Sequence, residues 1–486
     1  MSDTDALSLT SNSSKKYSST NDIEAVIDNE LLVHIPVTTF KSEAKIYYES
    51  AFPLVISFFL QYLLAATPIF VVGHIGAVEL GAVSLAIMTF NITGAGLVQG
   101  CVTALDTFAA QAYGAQKYHL VGEFCQKAWM LINILSIPVL TTWWFMEPIL
   151  GFLQPDRQIA MLATQYLRVL MLGLPAVIIF EVIKRFLQCQ KIFDASTKVL
   201  FFGTPFGFLV SYVLVFKFEL GYIGAPIAVV ISYWTIAILL IVYVIFIDGR
   251  QCWGGFCKNA LFQDFSSILR LAIPGVIMTE AEYLAFEAMT LASAYFGTVQ
   301  LANQSILAAI GSLVFQIPFA VSVAIGTRVS QLIGAGDIVN SKKSAGHALR
   351  FALLVGSTDC LGVILFSDPL LKVFTNDKDV INACKLIIPI LAIEQIYDTV
   401  NITFGSILRA MGKQKVGSIF YLSGYYLVAL PLVLVLAFVL RLEVFGLWLG
   451  LSTTVLFLAI SQAIYVYRTN WTHIIEEAKE RTSVDY

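Results

Sequence analysis

Twelve separate stretches of this chain, each about twenty residues long and nearly free of charge, constrain its fold more than any other feature. They run over residues 51–73, 85–109, 126–147, 161–183, 199–217, 224–247, 271–296, 305–327, 348–366, 384–408, 417–438 and 446–467. A helix needs about 20 mostly apolar residues to cross the hydrocarbon of a bilayer. Only 13% of the 486 residues are charged, against about 25% in a water-soluble domain. Lipid therefore has to cover much of the surface. Proline recurs inside the stretches, at Pro53, Pro175, Pro205, Pro274 and Pro318. Membrane helices tolerate this, because neighbouring helices and polar side chains satisfy the freed carbonyls. The expected fold class is an all-α polytopic membrane protein with twelve transmembrane helices.

The first 45 residues are polar, with a Ser-rich run over 8–20, and read as a disordered tail. No cleavable signal peptide is visible, so the first helix has to act as the insertion signal. Residues 471–486 read as a second tail. Orientation follows from the basic residues. With the N-terminus inside, 23 of the 30 Lys and Arg fall on the inner side and 7 on the outer. Both termini are expected in the cytoplasm. The net charge of −3 gives no basis for a nucleic-acid partner.

The two halves of the chain repeat each other at an offset of 221. Pro53 maps onto Pro274, Gly76 onto Gly297, Val78 onto Val299, Leu80 onto Leu301 and Ser84 onto Ser305. The offset then drifts. Gln111 and the Gly-Ala at 114–115 meet Gln331 and the Gly-Ala at 334–335, and Arg185 and Glu219 meet Arg409 and Glu443. Each half holds six helices, an even number, so the repeats run parallel. Transporters built from such repeats bind substrate at the repeat interface near mid-membrane and alternate access by rocking one half on the other. This divides the chain into a tail (1–45), a first lobe (46–250), a second lobe (251–470) and a C-terminal tail (471–486).

Several runs carry a family resemblance. They are Gln61-Tyr-Leu-Leu, Val72-Gly-His74-Ile-Gly76, Ala104-Leu-Asp106-Thr and Gln111-Ala-Tyr-Gly-Ala115, followed by Glu282-Tyr-Leu-Ala-Phe-Glu287. Arg328 to Gly336, Asp398 to Gly405 with Asn401, Arg409, Gly412, Tyr425-Tyr426 and Pro431 continue the series. In this order, over about residues 45–470, they resemble the eukaryotic multidrug and toxic compound extrusion transporters. The resemblance implies a secondary transporter that exports organic compounds in exchange for a cation, in a vacuolar or plasma membrane. It also implies that Glu282 and Glu287 form the family's seventh-helix pair of glutamates and that Asp398 is its tenth-helix acid. The chain departs from the pattern at Leu284, where plant members usually carry Trp, and at Ala309, near an acid of some animal members.

Charged groups inside a bilayer are costly and mark function by default. The acids well inside the spans are Glu280, Glu282, Glu287, Asp359, Glu394 and Asp398, all in the second half. The cation site is expected there. A carboxylate in a poorly hydrated cavity can hold a proton or attract an organic cation, but not both, which is the chemistry an antiporter needs. Glu282 and Glu287 are five residues apart, about 140° around a helix, so one of them is expected to carry the proton and the other to shape the cavity. The repeat register puts Gln61 in the place of Glu282, giving the first lobe a neutral counterpart. Asn401 and Tyr425 join the candidate binding set, Tyr425 as a ring that can stack on a flat cation. Asp106, near the inner end of its helix, completes it and can also serve to orient the inner loop. Glu181 precedes Lys184 and Arg185 by three and four residues and reads as a helix-surface ion pair.

The leading reading is thus a proton-coupled antiporter for organic cations, with protons, substrate and the bilayer as partners, acting as a monomer. A sodium-coupled or organic-anion exporter of the same family is the nearest alternative. A lipid-headgroup flippase would need a more basic cavity. From another class, an intramembrane aspartyl protease is suggested by Tyr397-Asp398 and Gly334-Ala-Gly336-Asp337. These stand in reversed order, with Asp337 in a loop, so no enzyme is expected. There is no phosphate-binding loop for ATP. The five histidines are scattered, and Cys252 and Cys257 have no third ligand at suitable spacing, so neither metal nor cofactor is expected.

Overall fold

A backbone with no water to bond must satisfy its own N–H and C=O groups, and an uninterrupted apolar sequence does so as helix. The computed structural model describes residues 37–153, 156–256 and 265–483, and among them there is no strand. The helices are α1 (Phe40–Val72), α2 (Ala77–Gly114), α3 (Tyr118–Trp144), the short α4 (Glu147–Leu153), α5 (Arg157–Leu170) and α6 (Leu174–Cys189). They continue with α7 (Ala195–Lys217), α8 (Gly221–Phe246), α9 (Phe265–Tyr295), α10 (Thr298–Gly334), α11 (Ile338–Phe374), α12 (Lys378–Ala410), α13 (Gln414–Val439), α14 (Glu443–Arg468) and α15 (Trp471–Ser483).

Ten of these are long and apolar enough to cross a bilayer, and the bent pair α5–α6 makes an eleventh span. The bend is 54° and has an identifiable cause: α6 begins at Gly173-Leu174-Pro175, where the proline ring supplies no N–H. The twelfth span is α9, 31 residues long. Every 18-residue stretch of it carries at least three charged side chains, drawn from Arg270, Glu280, Glu282 and Glu287. The helix that is least lipid-like by composition is therefore the one that gathers the acids. Cys257 lies outside the described residues, as do residues 1–36 of the expected tail.

The internal repeat is written in the backbone. Left-handed residues recur at matching places: Gln116 and Gly336, Lys191 and Gly412, Glu219 and Glu443. Wide π-helical turns close the fifth span of each half, at Val213–Lys217 and Leu434–Val439, again 221 residues apart. Such turns insert a residue into the helical ladder and loosen it locally.

Two ends differ from the sequence reading. Helix α1 begins at Phe40, inside the stretch read as tail, and the C-terminal segment forms helix α15. Residues Phe40–Tyr486 form one unit, with an apolar core running from Leu64 to Ala272 and a second from Met278 to Leu458. A third core joins Tyr47, Ala51, Leu54 and Phe58 of α1 to α10, α11, α12 and α15. The first turns of α1 thus pack with the second half of the chain, across the boundary that the sequence repeat suggests.

Candidate functional site

Acidic side chains of α9 and α12 meet in the second half. Asp398 accepts a hydrogen bond from Asn401 Nδ2 (3.3 Å), and Asn401 Oδ1 accepts one from Gln462 Nε2 of α14 (2.7 Å). Glu282 faces this group from α9, within electrostatic reach of Asp398 and of Arg409. Glu394 stands one turn before Asp398, buried, with one carboxyl oxygen lacking any hydrogen-bond partner. Tyr425 is buried in α13, its ring 6.0 Å from that of Tyr421. Gly405 makes room for the convergence. A Cβ there would stand 3.2 Å from Tyr421 Oη, 3.3 Å from Gln462 Oε1 and 3.9 Å from Arg409. Among the described residues, none of Glu282, Glu394 and Asp398 has an ion-pair partner. In hydrocarbon surroundings an ionised carboxylate without a bonded counter-charge is costly.

The other expected residues are placed differently. Glu287, half-buried on α9, has no hydrogen-bond or ion-pair partner among the described residues. Gln61 does not join the acids. It donates to Glu181 Oε1 (3.0 Å) and accepts from Lys184 Nζ (3.2 Å), closing a triangle around the 2.7 Å Lys184–Glu181 ion pair. Phe58 and Phe180 cover the ammonium at 5.2 and 5.1 Å. This pair is fully buried, not on a helix surface, and every member has an opposite charge or dipole to hand. The first half thus has a charge-compensated polar cluster, with Glu181 Oε2 left without a hydrogen-bond partner, where the second has carboxylates without an ion-pair partner among the described residues. Asp359, on α11, is buried with Oδ2 unpartnered.

Asp106 belongs to a seam between the halves. Arg185 of the first half approaches it at 3.4 Å and Arg409 of the second at 3.6 Å. These two arginines are repeat equivalents sharing one carboxylate. Beside this shared carboxylate, the crossing of α2 and α10 has approximate two-fold symmetry. Gln111 Nε2 donates to Ala410 O and Gln331 Nε2 to Cys189 O, both at 2.8 Å. A Cβ on Gly114 would stand 2.0 Å from Gln331 O, and one on Gly334 would stand 2.0 Å from Gln111 O. The glycines let α2 and α10 cross backbone to backbone, in the way small residues serve packed membrane helices. Nearby, Thr107 donates to Arg409 O (2.5 Å) and accepts from Gln414 (2.8 Å). Glu43, fully buried in α1, pairs with Arg328 of α10 at 2.9 Å.

Midway along α2, Gly96 and Gly100 face α9. Their positions are filled by Glu280 Oε1 and the backbone of Val276, which an added Cβ would meet at 2.0 and 2.4 Å. A π-turn at Asn91–Ala95 immediately precedes Gly96. Among the described residues, the hydrogen bonds and ion pairs that join the two halves lie at one face, the one carrying the start of α1 and the end of α14. We refer to it as the tail face.

Arg409, Gln462 and Glu43 were not singled out as site residues from the sequence. A signal existed for Arg409, whose repeat offset pairs it with Arg185. Gln462 was legible only as a polar residue in an apolar span.

Comparison with known proteins gives a consistent result. A family profile described as MatE matches residues 53–213 and 274–435, two stretches that begin 221 residues apart. An uncharacterized transporter of Saccharomyces cerevisiae is 39% identical over 94% of this chain, which spans 66% of that protein's length. The human multidrug and toxin extrusion protein 1 is 30% identical over 91% of this chain and 78% of its own. Among solved structures, the eukaryotic MATE transporter AtDTX14 superposes with a TM-score of 0.84 at 26% identity, covering 91% of this chain and 99% of that one. A Vibrio cholerae MATE transporter in its bent form shares the fold at a TM-score of 0.78 and 17% identity, covering 91% and 99%.

Proposed function

Because this chain belongs to the MATE family of membrane transporters, we propose that it is an antiporter that exports organic cations in exchange for protons. The observation that carries this reading is the group Glu282, Glu394 and Asp398, three carboxylates near mid-span with no bonded counter-charge. A proton and an organic cation are alternative ways of supplying that charge, and occupancy by one disfavours the other. Asn401 and Gln462 orient Asp398, while Tyr421 and Tyr425 offer rings to a flat cation. Gln61 supports the fold of the first half through Glu181 and Lys184 rather than contacting substrate. Glu287 stays in the proposed set as a residue shaping the path.

The basic residues crowd the tail face, which we assign to the cytoplasm with both termini. The halves, residues 46–250 and 251–470, then act as the two rocking lobes of a monomer. The bonds between them close the cytoplasmic side in this conformation. Asp106 serves as a gate residue, shared between Arg185 and Arg409, and not as a substrate ligand. A vacuolar or plasma membrane suits export of this kind.

The test is uptake into proteoliposomes of purified protein under an imposed pH gradient, with a parallel arm under a sodium gradient. A panel of organic cations and anions serves as substrate. Concentrative cation transport driven by pH alone supports the reading. Transport that follows sodium only, or anions only, replaces it with the corresponding alternative.

A further inference from the structure

The last described helix, α15, lies across the tail-face seam and touches both halves. Its 13 residues carry an apolar stripe, Trp471, Ile474, Ile475 and Ala478, each at most 4% exposed and sunk into the core that α10, α11 and α12 share. A polar edge runs beside the stripe. Glu477 accepts from Lys413 Nζ at 2.6 Å and from Arg481 Nη2 at 2.8 Å, which fixes both cations. So far the helix belongs to the second half.

Two further hydrogen bonds go to the first half. Arg481 Nη1 donates to Gln111 Oε1 of α2 at 3.2 Å. Lys117, in the turn after α2, donates from Nζ to the carbonyl of Thr482 at 2.8 Å. It thus places a cation on the open carbonyls of the last helical turn, where the helix dipole is negative. The guanidinium of Arg481 lies flat over Gly412, where an added Cβ would meet it at 2.7 Å and where φ is +73°. Gln111 is held from two sides, because its amide nitrogen donates to Ala410 O.

The division of labour is unequal. Broad apolar burial anchors α15 to the second half, and two charge-assisted hydrogen bonds tie it to the first. We propose that α15 is a latch for the closed tail face. It travels with the second half and releases Gln111 and Lys117 when that face opens, so that Lys117 and Arg481 are positioning residues for the transport cycle. The inference rests on the alternating-access reading above. Each charge-assisted bond to the first half biases the closed form roughly tenfold.

The experiment uses the full chain in proteoliposomes. Its readout is the maleimide-modification rate of native Cys189, mapped by mass spectrometry. Cys189 is 3% exposed, and its carbonyl takes the Gln331 bond of the seam. Lys117→Gln combined with Arg481→Gln should raise that rate roughly a hundredfold, and Lys117→Gln alone roughly tenfold. The single variant changes a half-buried loop residue, so folding survives in it. The half-saturating substrate concentration on the tail side should fall in parallel. Cys189 labelling within twofold of the parent chain in the single variant overturns the latch. Labelling in the parent chain that is identical under opposite pH gradients overturns the alternating-access reading instead.

Discussion

Replacing Gly114 with alanine tests whether the α2–α10 crossing is a gate. The new Cβ would lie 2.0 Å from Gln331 O, whereas carbon and carbonyl oxygen in contact sit about 3.3–3.6 Å apart. The crossing must therefore widen by about 1.3 Å or more. At that spacing the paired bonds Gln111–Ala410 and Gln331–Cys189, now 2.8 Å, stretch to about 4 Å, beyond hydrogen-bonding range. Losing two such bonds, with their groups left buried, costs about 2–4 kcal/mol, or roughly a thirtyfold to several-hundredfold bias against the closed tail face. Alanine is a better helix former than glycine, so α2 itself is not weakened and the chain should fold. Spin labels at His119 and Lys342, both exposed at the tail face, should move apart in Gly114→Ala and again in Gly334→Ala, and transport should slow. An unchanged distance distribution with full transport refutes the reasoning.

Glu282→Gln should abolish pH-driven exchange, while Glu287→Gln should lower its rate without removing its pH dependence. Initial rates measured across a pH series separate the two. Asp106→Asn leaves Arg185 and Arg409 facing each other across the seam with no shared anion. It should cost about 3–5 kcal/mol in the closed form, read as a lowered melting temperature and a faster Cys189 modification. A cysteine introduced at Asn376 should react with an impermeant reagent added outside intact cells, and one introduced at Lys413 should not. The reverse pattern contradicts the assigned orientation.

The sequence showed the spans because lipid demands long apolar helices, and it showed the repeat because glycines and turn residues hold fixed backbone roles. The left-handed pairs Lys191 and Gly412, and Glu219 and Glu443, bear this out. What it could not show was partnership. Gln61 occupies the register of Glu282, yet its role is set by Glu181 and Lys184, 120 and 123 residues away. Asp106 reads as a lone acid until Arg185 and Arg409 are brought to it. The start of α1 and the helix within the C-terminal tail were not legible for a different reason. Glu43 and Arg328 look like solvated charges until paired and buried, and α15 is too polar to register as a span. Its apolar stripe at 471, 474, 475 and 478 did carry the helical spacing.

The central claim is that a proton and a cationic substrate compete for the carboxylates of α9 and α12. The most direct test is proton release from purified protein in weakly buffered detergent solution on addition of a transported cation. The account predicts release from the parent chain, and none from the Glu282→Gln and Asp398→Asn double variant. Equal release from that variant, with the substrate still bound, contradicts it.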